Sequence, residues 1–168
     1  KNILIGQPDT GVAAHIDVDA CVDLLNGLNL IEHSTLPIDP LTGPKLGKNP
    51  GHGTAVSSVA VSRGTVLANP NPPDFGTGGP GYVTGVSTEA TIIPVRAIKS
   101  VVRITQTKVA EAVDFCRRKK LHVISMSLGG LPMRCLEAAI AKAVEDQLIV
   151  VCAAGNCVRM VVWPARYP

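Results

Sequence analysis

The sequence predicts an α/β fold in which helices pack on a parallel sheet, and three observations carry that expectation. Short β-branched apolar runs alternate with longer stretches whose apolar residues recur at helical spacing. The composition is 46% hydrophobic, 17% charged and 3% aromatic, the small-side-chain balance of strands buried on both faces. At 168 residues the chain has material for one domain with a buried core. The same balance argues against disorder. A formal charge of +3 with so few aromatics offers no basic, base-stacking surface, so nucleic acid is not an expected partner. No apolar run reaches the roughly 18 residues of a membrane span, and a soluble chain is expected. Lys1 leads straight into Ile3-Leu4-Ile5 with no leader pattern, as though any targeting segment had been removed.

Taken in order, Asn2 to Gly6 reads as a first buried strand that Pro8 is expected to take out of sheet pairing. Asp9 then lies at a strand's carboxyl end, where open α/β sheets place their functional crevice; the plainer reading is a turn cap with Gly11. Ala13 to Leu25 carries Val18, Cys21, Val22 and Leu25 on one stripe and predicts a helix stopped by Gly27. Its His15, Asp17 and Asp19 read as solvated surface rather than as a metal cluster. Leu28 to Ile31 is a short strand candidate. The proline-rich stretch Ser34 to Lys48 is a loop that delivers Gly51-His52-Gly53, and a helix follows to about Ser62.

Arg63 to Gly81, dense in Gly, Pro and Asn, predicts a long surface loop. Its Gly76-Thr77-Gly78-Gly79 lacks the Lys-Ser/Thr of a phosphate-cradling loop. Thr91 to Ile98 predicts a buried strand in which Pro94 must occupy an unpaired position or a bulge. Thr105 to Lys119 predicts a helix, with Val109, Ala112, Val113 and Cys116 inward and the basic run Arg117 to Lys120 at the negative end of its dipole. Leu121 to Met126 predicts a strand running into Ser127-Leu128-Gly129-Gly130. Leu136 to Val144 predicts a helix, and Leu148 to Cys152 a last strand ending in Ala153-Ala154-Gly155-Asn156. The five cysteines (Cys21, Cys116, Cys135, Cys152, Cys157) are odd in number and lack metal-ligand spacing, so they read mostly as small buried hydrophobes.

A histidine between two glycines at the head of an apolar helix is hard to explain as packing, and reads as a reactive imidazole open to close approach. With it, Asp9, the Gly129-Gly130 backbone and Asn156 fall at one rim of the predicted sheet. Asp before His in chain order, with an amide side chain after an Ala-Ala-Gly turn, resembles the subtilisin-like serine peptidase family (peptidase S8). Asp9-Thr10-Gly11-Val12 resembles that family's aspartate motif, and His15-Ile16-Asp17 the His-Pro-Asp that follows it. His52-Gly53-Thr54 resembles its histidine motif, and Gly85-Val86 with Ile93-Pro94-Val95-Arg96 the segment before its next strand. Ser127-Leu128-Gly129-Gly130, Ala153-Ala154-Gly155-Asn156 and Trp163-Pro164-Ala165 follow in the family's order.

The resemblance implies a three-layer fold, a parallel sheet with helices on both faces. It implies catalytic Asp9 and His52, with Asn156 as oxyanion donor. Ser127, Leu128 and Gly129 would bind an extended protein or peptide substrate as an added strand, and Ala153, Ala154 and Gly155 would line the pocket before the scissile bond. It also implies a secreted or periplasmic location, against which the odd cysteines pull.

The departures are as informative. The family's nucleophile sits in Gly-Thr-Ser, and here Gly53-Thr54, Gly64-Thr65 and Gly76-Thr77 are followed by Ala55, Val66 and Gly78. The chain therefore reads as a fragment of the peptidase domain, residues 1–168, incomplete on its C-terminal side, inactive alone and prone to self-association through an exposed sheet edge. Gln7-Pro8 stands where the family has apolar residues. Some relatives bind calcium through the loop at Arg63 to Gly81; here its lone carboxylate, Asp74, falls short of the roughly 6–8 oxygens a calcium cage takes, so no cofactor or metal is indicated. Two rival readings are a non-catalytic peptide-binding relative and a nucleotide-binding α/β domain; the second lacks a Gly-x-Gly-x-x-Gly opening a helix.

Overall fold

A computed structural model describes residues 3–32, 34, 36–42, 49–63, 84–156 and 159–168. Its elements are β1 (Leu4–Asp9), a 3-10 turn (Asp19–Cys21), β2 (Leu28–Asn29), α1 (His52–Val61), β3 (Thr91–Arg96), β4 (Val102–Arg103), α2 (Thr107–Arg118), β5 (Val123–Met126), β6 (Gly129–Gly130), α3 (Arg134–Glu145) and β7 (Ile149–Cys152). Five strands form one parallel sheet in the order β2-β3-β1-β5-β7, and β4 and β6 form a separate parallel pair. Among the described residues no helix is long and apolar enough to cross a membrane.

The period of two along each strand divides the core into layers. Ile93 and Val95 of β3 and Ile124 and Met126 of β5 pack with Val109, Val113 and Cys116 of α2 and Leu136 and Ala143 of α3. On the opposite face Ile92 packs with Cys21 and with Val61 of α1. The three-layer arrangement is thus built from α2 and α3 on one side of the sheet and α1 on the other. Gly6 of β1 faces α2 so closely that a Cβ would lie 2.4 Å from Cys116 Sγ. Its neighbours Ile5, Gln7 and Asp9 therefore point towards α1, and that alternation brings the Asp9 carboxylate beneath the α1 N-terminus.

Two local expectations need correction. Ala13 to Leu25 is not a helix. The Asp19 carboxylate accepts the His15 N–H and that of Asp23 accepts the Asn26 N–H, local bonds that compete with a helical ladder. Val22 bridges to Ile92, and the Asp23 N–H donates to the Ile92 carbonyl. Pro8 does not end β1: it stays in register opposite Val95. Leu4 accepts from His122, while Ile3 accepts from Thr91 of β3 and Asp9 from Ala97 just after it, so the backbone of even-numbered positions of β1 faces β5, and pairing on that side ends at Gly6. The missing N–H of Pro8 falls beyond it. Pro94, expected at an unpaired position or a bulge, sits in β3 opposite Gln7 and has no pairing partner among the described residues on its other side. Its nitrogen faces the β2 side, between the Val22–Ile92 bridge and the start of β2 pairing at Val95. The loop expected from Arg63 to Gly81 lies, after Arg63, outside the described residues, as do Asp74 and Cys157.

β7 is an edge strand. Its Val150 and Cys152 pack against the α2–α3 layer, whereas Ile149 and Val151, on the α1 side, are 62% and 53% exposed. An apolar edge of this kind templates pairing with another chain. Expressed as residues 1–168, the polypeptide is expected to self-associate, with Ile149→Lys and Val151→Lys together shifting it to monomer in sedimentation velocity. An unsubstituted 1–168 polypeptide that is monomeric with a cooperative, high-temperature melt would contradict this.

Candidate active site

β1 and α1 meet at their functional ends. Gly51, at φ 79°, turns the chain into α1 in a left-handed conformation that suits glycine, and the Asn49 carbonyl accepts the His52 N–H at 3.2 Å. Gly53 then lies against the loop after β1, where a Cβ would come 2.2 Å from the Gly11 carbonyl oxygen. Only glycine allows the helix this close.

At that distance His52 reaches Asp9. Nδ1 lies 2.9 Å from Oδ1 and 3.1 Å from Oδ2 of the carboxylate. The Asp9 side chain is 1% exposed and that of His52 28%, so the pair has a dry inner end and an open outer one. The carboxylate also accepts the Thr10 N–H at 2.7 Å. The hydrogen bond to Asp9 raises the pKa of His52 above its ordinary value, against the opposing effect of burial. With Nδ1–H held by the carboxylate, the neutral ring carries its lone pair on Nε2, the state needed to accept a proton.

Around the pair stands a frame of buried polar groups. Gln7 Nε2 donates to the Gly53 carbonyl at 2.8 Å, and Ser57 Oγ lies 3.0 Å from Gln7 Oε1 and 2.8 Å from the same carbonyl. Thr54 Oγ1 accepts the Ala13 N–H. Arg96, 3% exposed, donates to the Thr10 carbonyl and grips Glu32 through two 2.7 Å bonds. That pairing holds the Glu32 carboxyl at about 2. Asp39, 4% exposed, accepts from Thr10 Oγ1. Beside this frame a cavity of about 140 Å³ is lined by Thr10, Glu32, Asp39, Asn49, Arg96 and Lys99, and neither member of the pair borders it.

The remaining predicted site residues follow the carboxyl ends of β5 and β7. Ser127 is half-buried and Leu128 2% exposed; Gly129 lies in β6, where its N–H donates to the Val101 carbonyl at 2.8 Å. Ala153, Ala154, Gly155 and Asn156 are exposed, with Gly155 in the left-handed region at φ 94°. The structure thus puts Asp9 and His52 in direct contact and sets the other positions on the same rim through the parallel order β1-β5-β7. The sequence reading missed Gln7, Thr10, Ser57, Arg96 and Asp39 as the supporting frame. Gln7 was discoverable, being a polar residue two positions from Asp9 in a buried strand. Ser127 follows the end of β5, and the Ser57 hydroxyl is hydrogen-bonded within α1 to the Gly53 carbonyl. The trio His15, Asp17 and Asp19 is tied up by its own backbone, and among the described residues no group of three or more His, Cys, Asp or Glu is arranged to hold a metal ion.

A parallel α/β sheet thus carries a buried Asp–His pair at its carboxyl rim, in the chain order expected of a subtilisin-like peptidase. The sequence matches the Subtilase family, peptidase S8, over residues 1–168, and the chain belongs to that family. It is 30% identical over 161 residues to the major intracellular serine protease of Bacillus subtilis (strain 168), covering 93% of this chain and 43% of that protein. Against subtilisin DY of Bacillus licheniformis it is 29% identical over 157 residues, 92% of this chain and 47% of that one. The chain therefore spans less than half the length of these relatives. Among solved structures, a cold adapted subtilisin-like serine proteinase superposes with a TM-score of 0.70 at 22% identity, covering 99% of this chain and 52% of that one. Fervidolysin from Fervidobacterium pennivorans gives 0.69 at 20% identity, with 99% and 23% covered. These structures bear on the fold alone.

Two outcomes are expected from this geometry. Gly53→Ala gains about 1 kcal/mol of helix propensity, but its methyl meets backbone 2.2 Å away and must push α1 from β1. The overpacking cost of about 1–3 kcal/mol wins, so the variant should melt lower and its His52 ring should lose the Asp9 contact in an NMR titration. The second concerns pH. A histidine whose folded pKa is raised contributes stability that is complete below its ordinary value of 6.5 and lost as pH rises through the folded pKa. Glu32, depressed from 4.5 to about 2, acts oppositely, losing its contribution as pH falls through that window. Asp9→Asn should remove the alkaline-side loss and Glu32→Gln the acid-side one, read as melting temperature against pH.

Proposed function

We propose that the protein containing this chain is a serine endopeptidase in which Asp9 and His52 form the acid–base pair. The observation that carries the reading is the buried Asp9 carboxylate on His52 Nδ1, in the family whose members use such a pair. His52 Nε2 would take the proton of a serine hydroxyl as its oxygen bonds to the scissile carbonyl carbon, and would return that proton to the amine that leaves. Asp9 keeps the tautomer and stabilises the imidazolium. The serine is not offered by any Gly-Thr-Ser in these 168 residues, and in this reading it comes from the rest of the protein's length.

Asn156 is the oxyanion donor in this reading. Loss of such a donor costs about 2.7–4 kcal/mol of transition-state stabilisation, a magnitude that belongs to subtilisin itself. Ser127, Leu128 and Gly129 receive the substrate backbone, with Ala153, Ala154 and Gly155 beside the residue before the scissile bond.

A fluorophosphonate that labels activated serines tests the reading. The full-length protein should label, residues 1–168 alone should not, and His52→Ala should abolish labelling. Asp9→Asn should lower kcat by about 10⁴-fold. A full-length protein that lacks a Gly-Thr-Ser and never labels would instead make the cleft a peptide-binding surface.

A further inference from the structure

Asp39 lies in the loop before α1, 13 positions from His52, and no motif draws attention to it. Yet one of its carboxylate oxygens, Oδ2, accepts two bonds of 2.7 Å, from Thr10 Oγ1 and from the Gly51 N–H. The other, Oδ1, accepts the Leu41 N–H at 3.0 Å. Thr10 Oγ1, its single proton committed to Asp39, accepts the Gly53 N–H at 3.0 Å on a lone pair. Gly51 and Gly53 flank His52. One buried oxygen therefore holds the backbone on both sides of the imidazole, directly at Gly51 and through Thr10 at Gly53. The same Thr10 donates its own N–H to Asp9 Oδ1. Bonds to a charged acceptor are about twice as strong as neutral ones, and a buried donor left without its acceptor bears its full desolvation penalty.

We propose that Asp39 is a positioning residue that aims the His52 ring at Asp9, acting through Thr10 and the Gly51 and Gly53 amides without touching the reacting atoms. An amide cannot replace it. With one oxygen on Thr10 and Gly51, the NH₂ of an asparagine faces the Leu41 N–H; turned over, it faces the Gly51 N–H. Either way donor meets donor. A modest misplacement of a catalytic base is worth up to about a hundredfold in rate, so the loss should appear in kcat rather than in KM. That kinetic part rests on the peptidase reading; the geometric part does not.

The test uses the full-length protein and follows the His52 ring proton by NMR across pH, assigned against His52→Ala. Thr10→Val cuts the link between Gly53 and Asp39 without changing any charge, and should bring the His52 titration down towards that of Asp9→Asn. Thr10→Ser keeps the hydroxyl and should leave it in place. Asp39→Asn should act as Thr10→Val does, with kcat about ten- to a hundredfold lower and KM little changed. If Asp39→Asn does not fold, the Thr10 pair decides, since the two differ in the link and not in charge. Variants that melt lower but keep the parent's His52 titration would overturn the proposal and leave Asp39 a loop anchor. A protein that shows no peptidase activity at all defeats the peptidase reading, while the titration still decides the role of Asp39.

Discussion

The approach of α1 to the end of β1 is the constraint from which the site follows. It is a backbone-to-backbone contact, Gly53 against the Gly11 carbonyl, and it exists because Gly53 carries no side chain to stand between them. Had the helix stood off by the width of a methyl group, an imidazole on its first turn would not reach a carboxylate on the strand. Polar side chains then fix what the glycines permit. Gln7 and Ser57 hold the inner carbonyl of the helix's first turn, Thr54 holds the strand-to-loop exit, and Asp39 holds the Gly51 amide directly and the Gly53 amide through Thr10. Each is buried or partly buried and hydrogen-bonded, which limits the penalty of placing so much polarity between two layers.

The sheet supplies the complementary constraint. β1 is central, flanked by β3 and β5, and its two faces have different tasks. Gly6 accommodates Cys116 of α2 on one side, while Gln7 and Asp9 bracket Pro8 and present their side chains to α1 on the other. Arg96, opposite Asp9 in the β1–β3 register, carries its guanidinium to the Thr10 carbonyl and to Glu32. A buried cation near a buried carboxylate is tolerable here because it has its own bidentate partner at the surface.

Much of this was legible in the sequence, unevenly. Gly51-His52-Gly53 announced a ring open to close approach, and apolar periodicity located α2, α3, β3, β5 and β7 to within a residue or two. The failures share a cause, that tertiary partners decided what local pattern could not. Val18 and Cys21 are buried as a helical stripe would bury them, but by a turn whose aspartates bond their own backbone. Pro8 looked like an interruption because the side to which its nitrogen points depends on strand order, which one strand's sequence does not contain. Asp39 had no signal at all, since a carboxylate in a proline-rich loop is ordinarily solvated and its partners are 29 positions upstream and 12 downstream.

The edge to which the proposed function assigns the peptide shows how backbone and side-chain contributions divide. Gly129 N–H is already bonded to the Val101 carbonyl, and Gly130 N–H to that of Trp163. A strand added at Gly129 would exchange one backbone hydrogen bond for another, a trade whose net worth is close to zero. Main-chain pairing at this edge can therefore set the direction of an incoming peptide but supplies little affinity unless β4 finds new partners as it yields. Affinity must come from apolar surface, and Val102 and Ile104, 72% and 78% exposed beside β6, are placed to bury it. At about 25 cal/mol per Å², covering two such side chains gives a few kcal/mol. That exceeds what the exchanged hydrogen bonds return, so the choice of peptide at this edge falls to the side chains that cover β4.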